Sequence, residues 1–360
     1  SRGLGDVYKR QLTEPHTATN PLNMKKFLLG ILVLFSLTSC HEVEDYPNNP
    51  KGNFEALWQI IDNHYCFLLD KNIDWDDVHR RYSLKVNDKM SQRELFDLLS
   101  EMINELKDGH VNLSSPFASS YYRKWWSDYP QNFDARIIQQ YYFNFNYLSI
   151  GAIDYGYLPQ NIGYIHYSTF ESGLGSGNID LILNYFSNAK GLIFDVRDNG
   201  GGNLTNVEDL VNRFIDSRIL AGYIIHKNGP GRNDFDKPYA YYIDPVGGGH
   251  LAWKKPVVVL TNRSTFSAAN NFVSIMKGLP NVTIAGATTG GGSGMPFNSE
   301  LPNGWGIRFS ACSILDSDGN STEFGVEPSD GCAIDMDRQD ALDGHDSILD
   351  FAIDYILALP

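Results

Sequence analysis

From residue 162 onward the chain repeats one pattern: a short apolar run with strand character, a turn of glycine, serine or asparagine, then an amphipathic stretch at helical spacing. Residues 162–170 read as strand and 179–186 as helix. Residues 191–196 form an apolar strand that ends in Arg197-Asp198-Asn199-Gly200-Gly201-Gly202, followed by a helix over 207–214. A buried strand at 256–260 runs through Thr261-Asn262-Arg263-Ser264-Thr265-Phe266-Ser267 into a helix over 268–276. Strands that alternate with helices favour an α/β fold, with a largely parallel or mixed sheet covered by helices.

The residues before this region follow other patterns. Over 54–106 apolar side chains recur at helical spacing, among them Leu57, Ile60, Ile61, Leu95, Leu98, Leu99, Met102, Ile103 and Leu106. Ser91 with Glu94 makes a capping box for the second of these helices. From 117 to 160 aromatic residues dominate, including Trp125, Trp126, Tyr141, Tyr142, Phe143, Phe145 and Tyr147, with alternation typical of strands in places. They suit cross-strand packing, or a groove for peptide or sugar. The expected organisation is a helical subdomain over 53–116, a small β-rich segment over 117–160 and a core over 161–360.

The first forty residues read as an address. From Met24 the chain reads MKKFLLGILVLFSLTSC, with two lysines, an uncharged stretch over 27–37 and small residues up to Cys40. That stretch is short of the roughly 20 apolar residues a spanning helix needs and fits a secretory signal over 24–40. Leu37-Thr38-Ser39-Cys40 resembles the lipobox of bacterial lipoproteins, which implies acylation at Cys40, a polar tether over 41–52 and anchorage in the cell envelope, at the outer membrane. Residues 1–23 stand ahead of a complete signal and are expected not to be native. In such an oxidising compartment Cys312 and Cys332 could close a loop or remain buried thiols, and spacing does not choose between them.

The net charge of −14 disfavours one class of partner. Without the five basic and two acidic residues of the first forty, 24 basic residues face 41 acidic ones. Such a chain repels phosphate, no Lys/Arg run follows Lys26, and a nucleic-acid partner is not expected.

Two turns carry chemistry. The glycines at 200–202 let successive backbone N–H groups converge on one point, as an anion or oxyanion requires. Ser267 opens a helix, which fits either a helix cap or a nucleophile whose oxyanion faces the N–H of Ala268. Segments GYIHYSTF, GLIFDVRDNGGG, VVVLTNRSTFSAAN, TIAGATTGGG and FGVEP, in this order, resemble the tail-specific or C-terminal processing serine peptidases. LKDGHVNL is similar to a segment of their PDZ-less, tricorn-like relatives.

That resemblance implies a ClpP/crotonase-like mixed βαβ core, with Ser267 as nucleophile and Gly201 and Ala268 at the oxyanion hole. It also implies a peptide or unfolded protein segment as substrate. The processing branch has a lysine base where this chain reads Thr289-Gly290-Gly291-Gly292. Lys277, ten residues along the helix and about 15 Å away at 1.5 Å per residue, is out of reach. In the tricorn-like branch the base is a histidine, matched by His110, with a carboxylate matched near Glu323; the serine that precedes that histidine in the branch is Gly109 here. His166 is the other candidate base. Where relatives often carry Glu this chain has Asn270, which together with the missing lysine keeps open a rival, a peptide- or glycan-binding lipoprotein without catalysis. No His/Cys/Asp/Glu spacing suggests a metal, and no cofactor is implied.

Overall fold

The computed structural model describes residues 46–360, so the expected signal peptide, Cys40 and the first part of the tether lie outside the described residues. Three helices come first: α1 (Pro50–His64), α2 (Trp75–Ser83) and α3 (Gln92–Asn104). Each starts at a side-chain cap, Asn49, Asp74 and Ser91, and the reciprocal bonds of the Ser91–Glu94 box are present. Their apolar faces do not close on themselves. Leu57, Ile61, Leu99, Met102 and Leu106 share one core with Leu301, Trp305, Ile307 and Phe309, about 200 residues later.

The strands are β1 (Asn112–Ser114), β2 (Leu148–Ile150), β3 (Ile153–Leu158), β4 (Ile162–Tyr167), β5 (Leu192–Asp195), β6 (Ile219–His226), β7 (Tyr239–Ile243), β8 (Val257–Thr261), β9 (Val282–Gly286), β10 (Gly294–Glu300) and β11 (Gly306–Leu315). One six-stranded sheet has the order β2-β3-β4-β5-β8-β9, parallel from β4 to β9 and extended antiparallel by β3 and β2. A second, antiparallel sheet runs β1-β11-β6-β7 with β10 on β11. The strand and helix patterns read beyond residue 161 appear within a few residues of their expected ends.

Region 117–160 is only partly β. It contains the short helix α4 (Lys124–Ser127), a turn at Ala135–Ile137 that widens into a π-helical turn at Ile138–Tyr142, and then β2 and β3. Asn144 and Phe145 take positive φ, 46° and 59°, which interrupts any strand there. The aromatics act singly instead: Trp125 stacks on Phe266, Phe133 packs on His166 and Phe143 on Tyr164.

Helices cover both faces of the parallel sheet. Val257 and Val259 face α5 (Ser176–Tyr185), α6 (Leu204–Val211) and α7 (Ala268–Lys277) through Ile182, Leu210, Ala269, Phe272 and Met276. Val258 and Leu260 face α8 (Ser347–Ala358) through Ile348, Leu349, Ala352 and Ile356. Alternate side chains thus enter opposite cores, which is why the strand is apolar throughout. In this register Asp195 pairs with Leu260, so the turns leaving β5 and β8 emerge side by side.

A fully buried ion triad holds that edge. Arg197 donates from Nε and Nη2 to Asp195 at 2.9 and 2.6 Å and from Nη1 to Asp346 at 3.0 Å. Asp346 also caps α8 by accepting from the N–H groups of Ile348 and Leu349. The loop after β5 is therefore fixed to the start of α8. Cys66, Cys312 and Cys332 are free and buried, and no described helix is long and apolar enough to cross a membrane.

Candidate active site

Ser267 stands at the end of the β8–α7 turn with φ 58° and ψ −121°, a conformation that costs a residue with a Cβ about 1–3 kcal/mol. Surrounding bonds hold it there. Its N–H donates to Gly291 O at 2.9 Å, and Phe266 N–H donates to Asn199 O at 3.0 Å. The side chain makes no helix-capping bond, so the cap reading does not hold. The hydroxyl is aimed elsewhere: Ser267 Oγ lies 3.0 Å from His110 Nε2.

His110 lies between α3 and β1, buried, with its ring against Phe266 at 4.8 Å between centroids. The Asp108 carboxylate fixes the loop from below. It accepts His110 N–H at 2.7 Å, Tyr65 O–H at 2.9 Å and Ser310 O–H at 3.0 Å. His110 Nδ1 meets no partner among the described residues. Burial first, then the cationic Arg308 and Lys71, push the imidazole down to about pKa 4 against the pull of Asp108. It is neutral at pH 7 and able to take a proton at Nε2.

Glu323 is also buried, but its carboxylate reaches Lys71 and not His110. Lys71 Nζ lies 2.8 Å from Glu323 Oε1, and Ser293 N–H donates to Oε2 at 2.9 Å. Burial, and then the Asp108 charge, raise Glu323 to about 7 despite Lys71. The Asp108 carboxyl lies below its usual range: burial alone would raise it, but Lys71, His110 and the hydrogen bonds outweigh that. Lys71 itself is raised, because the attraction of Asp108 and Glu323 exceeds its desolvation.

Around the hydroxyl, the N–H of Ala268 has no acceptor among the described residues. Gly201 lies against Ser267 and Ala268: a Cβ on it would come 2.8 Å from both Ser267 Cβ and Ala268 N. Its own N–H donates to Asn199 Oδ1 at 2.9 Å, so its use as an oxyanion donor requires that bond to be shared or exchanged. Gly202 has φ 145°, and a Cβ there would fall 2.2 Å from the Phe170 carbonyl carbon. Only glycine lets this loop pass so close.

The position of the processing-branch lysine is closed. Thr289 Oγ1 donates to Asn270 Oδ1 at 2.6 Å and accepts Val326 N–H at 2.7 Å, and Asn270 Nδ2 donates to Thr322 O at 3.2 Å. Lys277 bonds Glu327 O at the far end of α7. His166 sits in β4 with its ring against Phe133, and the histidine within hydrogen-bond distance of Ser267 Oγ is His110. At Gly109 a Cβ would lie 2.6 Å from Trp125 Nε1, so the indole leaves no room for a serine.

The structure thus brings together Ser267, His110, Gly201 and Ala268, and sets Glu323 beside Lys71. Sequence reasoning missed Lys71, which no local motif marks. It gave Asp108 no role beyond a place in the segment LKDGHVNL, although Asp-Gly-His is a turn in which an aspartate accepts the N–H two residues on.

The sequence profile of peptidase family S41 matches residues 161–330, and that of the tricorn protease C1 domain matches residues 46–104. A crystal structure of a candidate peptidase from Parabacteroides merdae is 48% identical, with a TM-score of 0.82 over 87% of this chain and 98% of that one. Mature CPAF bound to lactacystin is alike in fold, 12% identical, with a TM-score of 0.63 over 86% of this chain and 97% of that one. An uncharacterised protein of Chlamydia muridarum is 37% identical over 67 residues, 19% of this chain, so the match spans 11% of that curated relative's length.

Proposed function

The chain belongs to the S41 family of serine-type peptidases, and on that premise we propose that Ser267 is its nucleophile and His110 its general base. The observation that carries this reading is the 3.0 Å approach of Ser267 Oγ to His110 Nε2 across 157 residues of chain. The hydroxyl oxygen attacks the scissile carbonyl carbon as its proton passes to Nε2. The carbonyl oxygen, now negative, lies at the start of α7, where the N–H of Ala268 and the helix dipole favour it. Gly201 adds a second donor when its N–H turns from Asn199. The tetrahedral intermediate collapses with transfer of the Nε2 proton to the departing amine, and water then releases the acyl group by the same steps.

Asp108 acts through its charge, as a buried anion that favours the transient imidazolium, whereas Glu323 acts through its ion pair with Lys71. The substrate class is peptides or unfolded protein segments, a reading supported by membership of a peptidase family. The lipobox-like Leu37-Thr38-Ser39-Cys40 supports anchorage at Cys40 in a bacterial envelope, on the outer membrane.

A fluorophosphonate probe tests the mechanism. The unaltered chain should be labelled at Ser267 and should hydrolyse peptides, whereas folded Ser267→Ala and His110→Ala should do neither. A folded, unaltered chain that resists labelling and cleaves nothing would favour the rival reading, a binding lipoprotein on the same fold.

A further inference from the structure

Lys71 lies in the turn after α1, and its side chain is only 9% exposed. An ammonium so deep must be held, and four oxygens do so. Besides Glu323 Oε1 at 2.8 Å, Nζ has Asp108 Oδ2 at 3.8 Å and the carbonyls of Leu106 and Lys107 at 3.4 and 3.3 Å.

Each carboxylate leads to a different half of the site. Asp108 holds the His110 backbone. Glu323 holds the glycine loop: its carboxylate accepts Ser293 N–H, its carbonyl accepts Gly292 N–H at 3.2 Å, and Gly291 O in turn accepts Ser267 N–H. Gly291 has φ 77°, and a Cβ there would lie 1.9 Å from Glu323 O, so this loop is pressed against Glu323. The two halves also stand on different cores. The segment flanking His110 packs with the N-terminal helices, and Ala268 and Ala269 pack on the parallel sheet.

We propose that Lys71 is a positioning residue for this reaction: one buried ammonium, shared by Asp108 and Glu323, joins the histidine loop to the nucleophile loop and presents a positive charge to the imidazole. The inference rests on the Ser267–His110 reading above. A purely structural triad such as Arg197 with Asp195 and Asp346 touches neither reacting side chain; the two carboxylates of Lys71 lead separately to His110, through its N–H on Asp108, and to Ser267, through the glycine loop that Glu323 holds. The charged and titratable groups around the imidazole are Asp108 on its own loop, Lys71 from the turn after α1 and Arg308 from β11. Behind Lys71 stand Glu323, Tyr65 and Cys66. Asp108 attracts a proton to His110, while Arg308 and Lys71 repel it. Loss of the ammonium removes one repulsion and leaves the carboxylates facing each other.

The test compares Lys71→Met, Lys71→Arg and the double variant Lys71→Met/Glu323→Gln with the unaltered chain, in kcat, KM and the pH profile of kcat/KM for a peptide. The double variant is included because it removes the charge imbalance and should fold even where Lys71→Met does not. For either methionine variant the expected result is a kcat at least tenfold lower with KM within twofold, and an acid limb moved up by about one pH unit. Lys71→Arg, which keeps the charge, should recover part of kcat and keep the original acid limb. A folded methionine variant, single or double, with unchanged kcat and acid limb overturns the inference. His110→Ala separates the two levels: if it stays active, the Ser267–His110 reading has failed; if it is dead while the lysine variants behave as the unaltered chain, only the role of Lys71 has failed.

Discussion

Replacing Ser267 by glycine should leave a more stable protein than replacing it by alanine, although both are inactive. The reason is the backbone at φ 58° and ψ −121°, which a residue with a Cβ occupies at a cost of about 1–3 kcal/mol. Alanine keeps that strain and glycine releases it. Against this, glycine loses more backbone entropy on folding, about 0.5–1 kcal/mol. It also forfeits a half-buried methyl group, about 0.4 kcal/mol at roughly half of the 0.8 kcal/mol for a fully buried one. Both variants lose the contact with His110, and neither loses a cap, because the hydroxyl forms none. The balance favours glycine by about 1 kcal/mol. Urea denaturation of the two variants at pH 7, followed by tryptophan fluorescence, reads this difference as a higher midpoint at equal slope. If alanine proves as stable as glycine or more so, the strained turn does not exist in solution, and with it goes the argument that the fold forces this serine to present its hydroxyl to His110.

Three further outcomes can be measured. An unperturbed histidine base would give kcat/KM an acid limb near pH 6.5, whereas burial of His110 places it near 4, with a plateau through neutrality. Because the folded pKa lies below the unfolded one, the unfolded chain takes up this proton first. The contribution of His110 to stability is therefore complete above about pH 6.5 and is lost as pH falls toward 4; folded His110→Ala should lose less stability than the parent across that window, and an acid limb at 6–7 would show that the imidazole is hydrated. For the envelope anchor, cells fed an alkyne fatty acid should label the protein and should not label Cys40→Ser, and equal labelling of the two would refute acylation at that position.

Much of the catalytic frame was legible in the sequence because its causes are local. The apolar run at 256–260 and the small residues that follow can only be a buried strand turning into a helix, and 191–202 follows the same logic, so Ser267 and the glycines could be placed at strand ends before any coordinates. The capping box at Ser91 was equally local. Region 117–160 was not legible as β, because its aromatics are spent one at a time on distant partners such as Phe266 and Tyr164 and leave no alternating face.

Other features belong to the tertiary structure alone. Whether Ser267 caps its helix or faces a histidine depends on a dihedral angle imposed by Gly291 and Asn199. His110 is a neutral base because burial, with Phe266 against its ring, strips its water, and the fold sets Lys71 and Arg308 near it. Lys71 reads as one more surface lysine until Asp108, 37 positions on, and Glu323, 252 positions on, close around it. The sequence determines strands, turns and helices through forces that act within a few residues. Burial and charge act through space, and only the folded chain decides which residues share it.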